Sequence, residues 1–450
     1  MITPRYSNQR QLSLQTGTEN TTVSIYIGID VGTSACRACA IDDKATLLAE
    51  TRTGIPAPQH TDEGIQQDPS LWWDALIATL DKLFTSIDAQ QVRRLLVDGT
   101  SSTLLLCTAD GRPLTEGLMY NDTRATAAAA NIRQEAPTDS AAQGASSSLA
   151  KLIYLRDRTG THNYLARHQT DWLTGKLCGD YRYSDVNNVL KLGYDTQAAQ
   201  WPAWFEKLGI DLQTLPEVTT PGKTIGTLDS KLASHWHCPP DVEIAAGTTD
   251  STAGFVAAGA ERTGSAVTAL GSTLVIKVLS DTPVFSAAHG VYSHALGGRW
   301  LVGGASNAGG AVLRTLFSDT EIKQLTAQID PMQLTGLDYY PLNRPGERFP
   351  IQDAELQPRL GPRPKSDVEF FQGILEGLAK IELRGYQLLE SLGAPYPEQV
   401  ITVGGGARNA GWQTIRANML GVPVSAAKQQ EAAYGAALLA LRGEAVFPDP

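Results

Sequence analysis

Apolar and polar positions alternate along the chain in a small set of recurring patterns. At Tyr26-Ile-Gly-Ile-Asp-Val-Gly-Thr-Ser-Ala-Cys-Arg-Ala-Cys-Ala-Ile41 two apolar runs flank a short polar turn. The pattern predicts a β-hairpin with Gly32, Thr33 and Ser34 at its tip and Asp30 at the end of the first strand. The device recurs at 264–279, where Gly271, Ser272 and Thr273 form the tip. Between the copies, apolar spacing predicts a capped helix over 70–87 and further helices over 149–156 and 166–174, the last ending at Gly175. Residues 94–108 read as strand, polar turn and strand, and 242–246 as a strand running into Gly247-Thr-Thr-Asp-Ser-Thr-Ala-Gly254. The strongest helical stripe covers 368–392. A strand over 399–403 then leads through Gly404, Gly405 and Gly406 to helices over 410–420 and 431–441. Such alternation indicates an α/β sandwich with mixed sheets.

Composition narrows this picture. A chain of 450 residues exceeds a single core, so two domains of about 200 residues are expected, divided near Ala246 into 24–246 and 247–450. Residues 1–23 are polar and aperiodic and read as a disordered tail. The net charge of −10 argues against a nucleic-acid partner or an anionic membrane surface. No apolar run reaches the length of a membrane span. Five cysteines in no framework suit a reducing, cytoplasmic setting. The loop-rich 337–361 is a candidate flap or the contact of a homodimer.

The chemistry-bearing residues fall at strand ends. Gly32 permits close backbone approach, and Thr33 and Ser34 supply donors suited to phosphate, while Asp30 is placed to organise a hydrated cation; a plain hairpin is the competing reading. Asp250, at a strand-to-helix junction, is a candidate general base, with Ser251 beside it as a substrate contact. Residues 300–313 read as strand, Gly-rich loop and helix, offering N–H groups to an anion or forming a tight packing turn. Three adjacent glycines at 404–406 allow a base or ribose to lie against backbone. The chain has no Gly-x-x-x-x-Gly-Lys-Ser/Thr motif, which excludes P-loop chemistry.

Taken together, the two hairpins, the Asp250 segment and Gly404-Gly-Gly-Ala-Arg-Asn409 resemble the FGGY family of carbohydrate kinases, over nearly the whole chain. The resemblance implies two ribonuclease H-like domains of the actin, sugar kinase and heat-shock ATPase group, with a central cleft. It implies ATP and Mg²⁺ as cofactors and a small sugar as partner. The implied ATP contacts are Gly32, Thr33, Ser34, Gly271, Ser272, Thr273, Gly404, Gly405, Gly406 and Asn409, with Asp30 at the metal. The implied sugar contacts are Ser101, Ser102, Asn121, Asp250 and Ser251, and Asp250 is the implied base. Met119-Tyr-Asn-Asp-Thr-Arg124 is similar to the family's Trp-x-Asp-x-Arg segment, so Asn121 and Asp122 could bond sugar hydroxyls, or Asp122 could pair with Arg124 in a structural turn.

The turn at Thr100, Ser101 and Ser102 lacks the Gln-Met-His-like sequence of typical xylulokinases. It looks more like a plant and cyanobacterial branch that phosphorylates D-ribulose. D-ribulose is therefore the expected acceptor, with D-xylulose second. A catalytically silent nucleotide-binding regulator is the alternative from another class, and the presence of both Asp30 and Asp250 speaks against it.

Overall fold

The computed structural model describes residues 23–447. The expected tail, residues 1–23, therefore lies outside the described residues except for Val23.

Two six-stranded mixed sheets form the frame. The first joins β1 (Ile25–Val31), β2 (Ala35–Ile41), β3 (Leu47–Gly54), β4 (Val92–Gly99), β5 (Thr224–Thr227) and β6 (Glu243–Thr249) in the order β5-β6-β4-β1-β2-β3. The second joins β7 (Ser265–Leu270), β8 (Leu274–Ser280), β9 (Tyr292–Leu296), β10 (Arg299–Ser306), β11 (Gln399–Val403) and β12 (Val424–Ala426) in the order β9-β10-β8-β7-β11-β12. The sheets share a plan. An antiparallel run, β1-β2-β3 or β7-β8-β10, continues past its first strand into parallel strands, β4 and β6 or β11 and β12. The two hairpins noticed in the sequence therefore occupy matching places in two related sheets. The division expected at Ala246 falls inside β6, whose last residues Thr248 and Thr249 still pair with Asp98 and Gly99.

Helices cover these sheets as their apolar spacing directs. In α1 (Pro69–Phe84) the Asp68 carboxylate caps the Ser70 N–H at 2.8 Å, and proline occupies the first turn, where its missing N–H costs nothing. Its buried face, with Trp72, Leu76, Leu80 and Leu83, lies on β2 and β3. The helix α2 (Ser148–Thr159) follows the prediction, but the next segment does not. Leu165–His168 pairs as a strand with Leu104–Cys107, and α3 runs from Gln169 to Cys178. Gly175 lies within α3 because a Cβ there would meet the Tyr181 ring at 2.4 Å, whereas Gly179, at φ 76°, caps the helix.

Other helices that frame the site are α4 (Asp250–Ala257), α5 (Gly310–Leu316), α6 (Asp367–Ser391), α7 (Ala410–Leu420) and α8 (Ala432–Arg442). The long α6 buries Phe371, Ile374, Leu378 and Leu389 in the core of the second sheet. The terminal helix α8 packs chiefly on β1, β4 and α4. Glycine decides this. A Cβ at Gly28 would lie 2.0 Å from the Ala433 carbonyl, and one at Gly435 would lie 1.8 Å from that of Ala253. Only glycine at both places lets α8 settle between the first sheet and α4.

Candidate active site

Three parallel strands bring three acids together. In the first sheet β6, β4 and β1 run side by side, with Asp30 opposite Asp98 and Asp98 opposite Thr248. Asp30 and Asp98 thus end neighbouring strands, and β6 continues into α4, whose first residue is Asp250. Asp30 accepts from Arg37 at 3.1 Å across the hairpin. Burial, followed by the charge of Asp250, pushes its carboxyl up to about 6 despite that ion pair. Asp98 is fully buried, and neither of its side-chain oxygens has a donor. Burial, Asp30 and Asp250 together push it well above the carboxylate range. Asp250 is also raised by burial, and the Ser251 N–H and the ammonium groups of Lys277 and Lys191 pull it back. Ser251 donates its N–H to Asp250 Oδ1 at 2.6 Å.

Such a row of acids fits a divalent cation. The orphaned oxygens of Asp98 call for a positive partner, and the Asp30 carboxylate lies beside them. Among the described residues no three His, Cys, Asp or Glu side chains could enclose a metal. A cation held here would therefore keep much of its water, as Mg²⁺ does. Asp98 was not singled out in the sequence, although Asp-Gly-Thr at 98–100 repeats the Asp-Val-Gly-Thr of 30–33 without the intervening Val.

The hairpin tips differ in how far their backbone is already committed. In the first, Gly32 donates to the Ala35 carbonyl at 3.0 Å, and Thr33 and Ser34 have their side chains partly or fully open. A Cβ at Gly32 would make only ordinary contact, at 3.5 Å from the Ala35 carbonyl, so packing alone does not demand glycine there. In the second, the carbonyls of Gly271 and Ser272 accept from Gly310 and Ala311 at 2.9 and 3.2 Å, and Arg314 donates to Ser272 Oγ at 2.9 Å. These bonds consume N–H groups at the start of α5. The packing turn is thus the reading that holds for 300–313, and the anion reading is withdrawn.

Around the glycine loop, Gly404 takes φ 85° against the Leu270 carbonyl, and a Cβ at Gly406 would meet Leu270 Cβ at 2.6 Å. A Cβ at Gly405 would meet nothing within 4 Å. Asn409 caps α7 by accepting from Trp412 N at 2.9 Å, which gives it a structural task.

Of the expected sugar contacts, Ser101 and Ser251 line one cavity of about 240 Å³ together with Lys191, Lys277, Tyr292 and His294. Lys191 belongs to the first unit, and Lys277, Tyr292 and His294 stand on β8 and β9 of the second. The cavity thus lies between the two units. Ser102 does not line it. This residue is buried in the left-handed conformation (φ 70°), its hydroxyl has no partner, and its carbonyl accepts from Lys151 Nζ at 2.7 Å. Burial pushes that Lys151 ammonium down to about 7. Asn121 is exposed and does not line this cavity either. Asp122 is buried and accepts from Ile65 N at 2.5 Å and Arg124 Nε at 2.8 Å, so its place is structural.

Comparison with known proteins accounts for this arrangement. The "FGGY family of carbohydrate kinases, N-terminal domain" matches residues 25–257, and the C-terminal domain of the same family matches residues 266–444. The chain belongs to the FGGY family of carbohydrate kinases. It is an ATP-dependent sugar phosphotransferase. This kinase is 22% identical to the xylulose kinase of Staphylococcus xylosus over 94% of its own length and 91% of the relative's. It is 24% identical to the L-fuculokinase of Escherichia coli, covering 95% of the kinase and 94% of that protein. The xylulose kinase structure from Rhodospirillum rubrum superposes with a TM-score of 0.82 at 21% identity, over 95% of this kinase and 94% of that chain, a likeness of fold. None of the described helices of the kinase is long and apolar enough to cross a membrane.

Proposed function

We propose that the kinase phosphorylates the primary hydroxyl of a ketopentose, D-ribulose in first place and D-xylulose in second, with Asp250 as general base. The observation that carries this reading is the position of Asp250. It begins α4 directly before Ser251, which lines the cavity between the two units, and it follows the strand that pairs with Asp98. Burial makes its carboxylate a stronger base than an exposed one. Asp250 takes the hydroxyl proton as the acceptor oxygen bonds to the γ-phosphorus, and the bond from that phosphorus to the β–γ bridging oxygen breaks to release ADP.

Thr33 and Ser34 on one side and Ser272 and Thr273 on the other would hold the phosphates between the units. Gly405, open at the glycine loop, would face the adenosine. Asp30 and Asp98 would hold Mg²⁺ through water, where it shields the phosphate charge. The departure of the Thr100–Ser102 turn from the xylulokinase pattern supports D-ribulose; the xylulose kinases among the relatives support D-xylulose.

The test is ADP release from Mg-ATP with D-ribulose, D-xylulose, L-ribulose, L-xylulose, glycerol or water, for the wild type and for Asp250→Asn. One ketose should accelerate release. Asp250→Asn should lower kcat by about 10²- to 10⁴-fold while nucleotide affinity stays near normal. Turnover retained by the variant removes Asp250 as base, and release that no acceptor accelerates removes the ketopentose reading.

A further inference from the structure

Every charged group that lines the cavity between the units is basic. Lys191, Lys277 and Arg348 contribute to its wall together with His294, Tyr292 and Ser101, and no Asp or Glu does. In a chain of net charge −10, this is a local reversal of sign. None of the three cations forms an ion pair among the described residues. Lys277 is 8% exposed, and its Nζ donates only to the carbonyl and the hydroxyl of Ser251, both at 3.1 Å. Lys191 stands with its Nζ 5.7 Å from the centroid of the Tyr292 ring.

The electrostatic cost of this arrangement is visible in its members. Burial pushes the Lys277 ammonium down to about 8 against the pull of Asp250, and Lys191 pushes it the same way. Burial and both lysines hold His294 neutral, well below its ordinary value. Cations gathered around a cavity with no carboxylate on its wall are compensated when an anion enters, and charge-assisted bonds to that anion are the stronger kind.

We propose that this cavity is an oxyanion site, which takes the carboxylate or phosphate group of a small sugar-derived ligand through Lys191, Lys277 and Arg348. The proposal deepens the functional reading above and rests on it in one respect, that the acceptor lies beside Ser251. Two sources share this chemistry. The anion is either an acid group on the acceptor itself, at the end away from the hydroxyl that is phosphorylated, or a separate phosphate, inorganic or on a sugar phosphate, that competes with a neutral acceptor.

Titration calorimetry on the full chain at pH 7.5 and constant ionic strength, with inorganic phosphate, D-ribulose 5-phosphate and D-gluconate as probes and chloride as control, tests the site. At least one probe should bind the wild type. Lys191→Met and Arg348→Met, checked for unchanged melting temperature, should each weaken that binding about tenfold. Affinity no better than that of chloride, or affinity unchanged in both variants, overturns the proposal. Steady-state ADP release distinguishes the sources. Turnover of D-gluconate that falls in the two variants more than turnover of D-ribulose assigns the anion to the acceptor, and competition by inorganic phosphate against D-ribulose that weakens in the two variants assigns it to a separate ligand. Asp250→Asn should keep anion binding. If it also keeps turnover, the base assignment fails while the anion site stands.

Discussion

At the scale of single residues, Asp98 is the group whose placement opposes folding most directly. A carboxylate with no exposed surface and no donor is stable only when protonated or beside a cation. Asp30, Asp98 and Asp250 all titrate higher in the folded chain than the ordinary value of 3.8. Groups of this kind contribute their full stability below that unfolded value and lose it as the pH rises through the folded one, about 6 for Asp30. Asp98→Asn should therefore raise Tm at pH 8 and raise it less at pH 4, while sugar phosphorylation falls. Differential scanning calorimetry at the two pH values checks this, and an equal Tm difference at both would show that the Asp98 carboxyl is not raised by folding.

Residue-level reading was uneven for a related reason. Asp30 and Asp250 stood out because glycine and hydroxyl residues surround them, whereas Asp98 gains its meaning from strands aligned at a distance. Asn409 and Asp122 carry suitable polar groups that the fold spends on a helix cap and an ion pair.

At the scale of elements, one buried pair ties the second unit together. Arg416 of α7 donates to both oxygens of Glu382 on α6, at 2.6 and 2.7 Å, and to Thr402 of β11 at 2.7 Å. Thr268 of β7 donates to the same carboxylate at 2.5 Å. Two helices and two strands thus meet at groups with almost no exposed surface. Glu382→Ala strands the guanidinium and should cost about 3–5 kcal/mol in urea denaturation, whereas Glu382→Gln with Arg416→Met should cost less than the sum of the single changes. Additive costs would mean that the groups do not act as a pair.

The glycine loop allows a second comparison at this scale. Gly405 is open and Gly406 is packed, so Gly405→Ala should leave Tm unchanged and raise KM for ATP, and Gly406→Ala should lower Tm. An unchanged KM in Gly405→Ala makes the loop a packing feature alone.

At the scale of the whole molecule, α4 and α8 lie where the two units meet, with residues of both sheets in one core cluster. The helix that begins with Asp250 is therefore positioned by the last helix of the chain. Gly435→Ala places a Cβ 1.8 Å from the Ala253 carbonyl, which must displace α4. The expected result is a kcat lowered by about 10²-fold with nucleotide affinity less affected, since a shift of about 1 Å at a reacting group has that effect. A variant that loses stability but keeps its kcat would show that α8 supports the fold without positioning the base.

Local patterns were enough for the parts of this kinase that depend on nearest neighbours. Period-2 and period-3.6 spacing placed the two hairpins, α1, α6 and α7, and the Gly-Thr-Ser and Gly-Ser-Thr turns marked both tips. The same patterns failed at 166–168, where pairing with Leu104–Cys107 outweighed helical spacing, while 169–174 is helical as expected. Contacts between distant segments were decided only in three dimensions. They comprise the alignment of β1, β4 and β6 that sets Asp98 between Asp30 and Asp250, the seat of α8 against Gly28, and the meeting of Lys191 with Lys277 around one cavity. Spacing along a chain reports which face of an element is apolar. It does not report which other element that face will meet, because that choice depends on the packing of the whole.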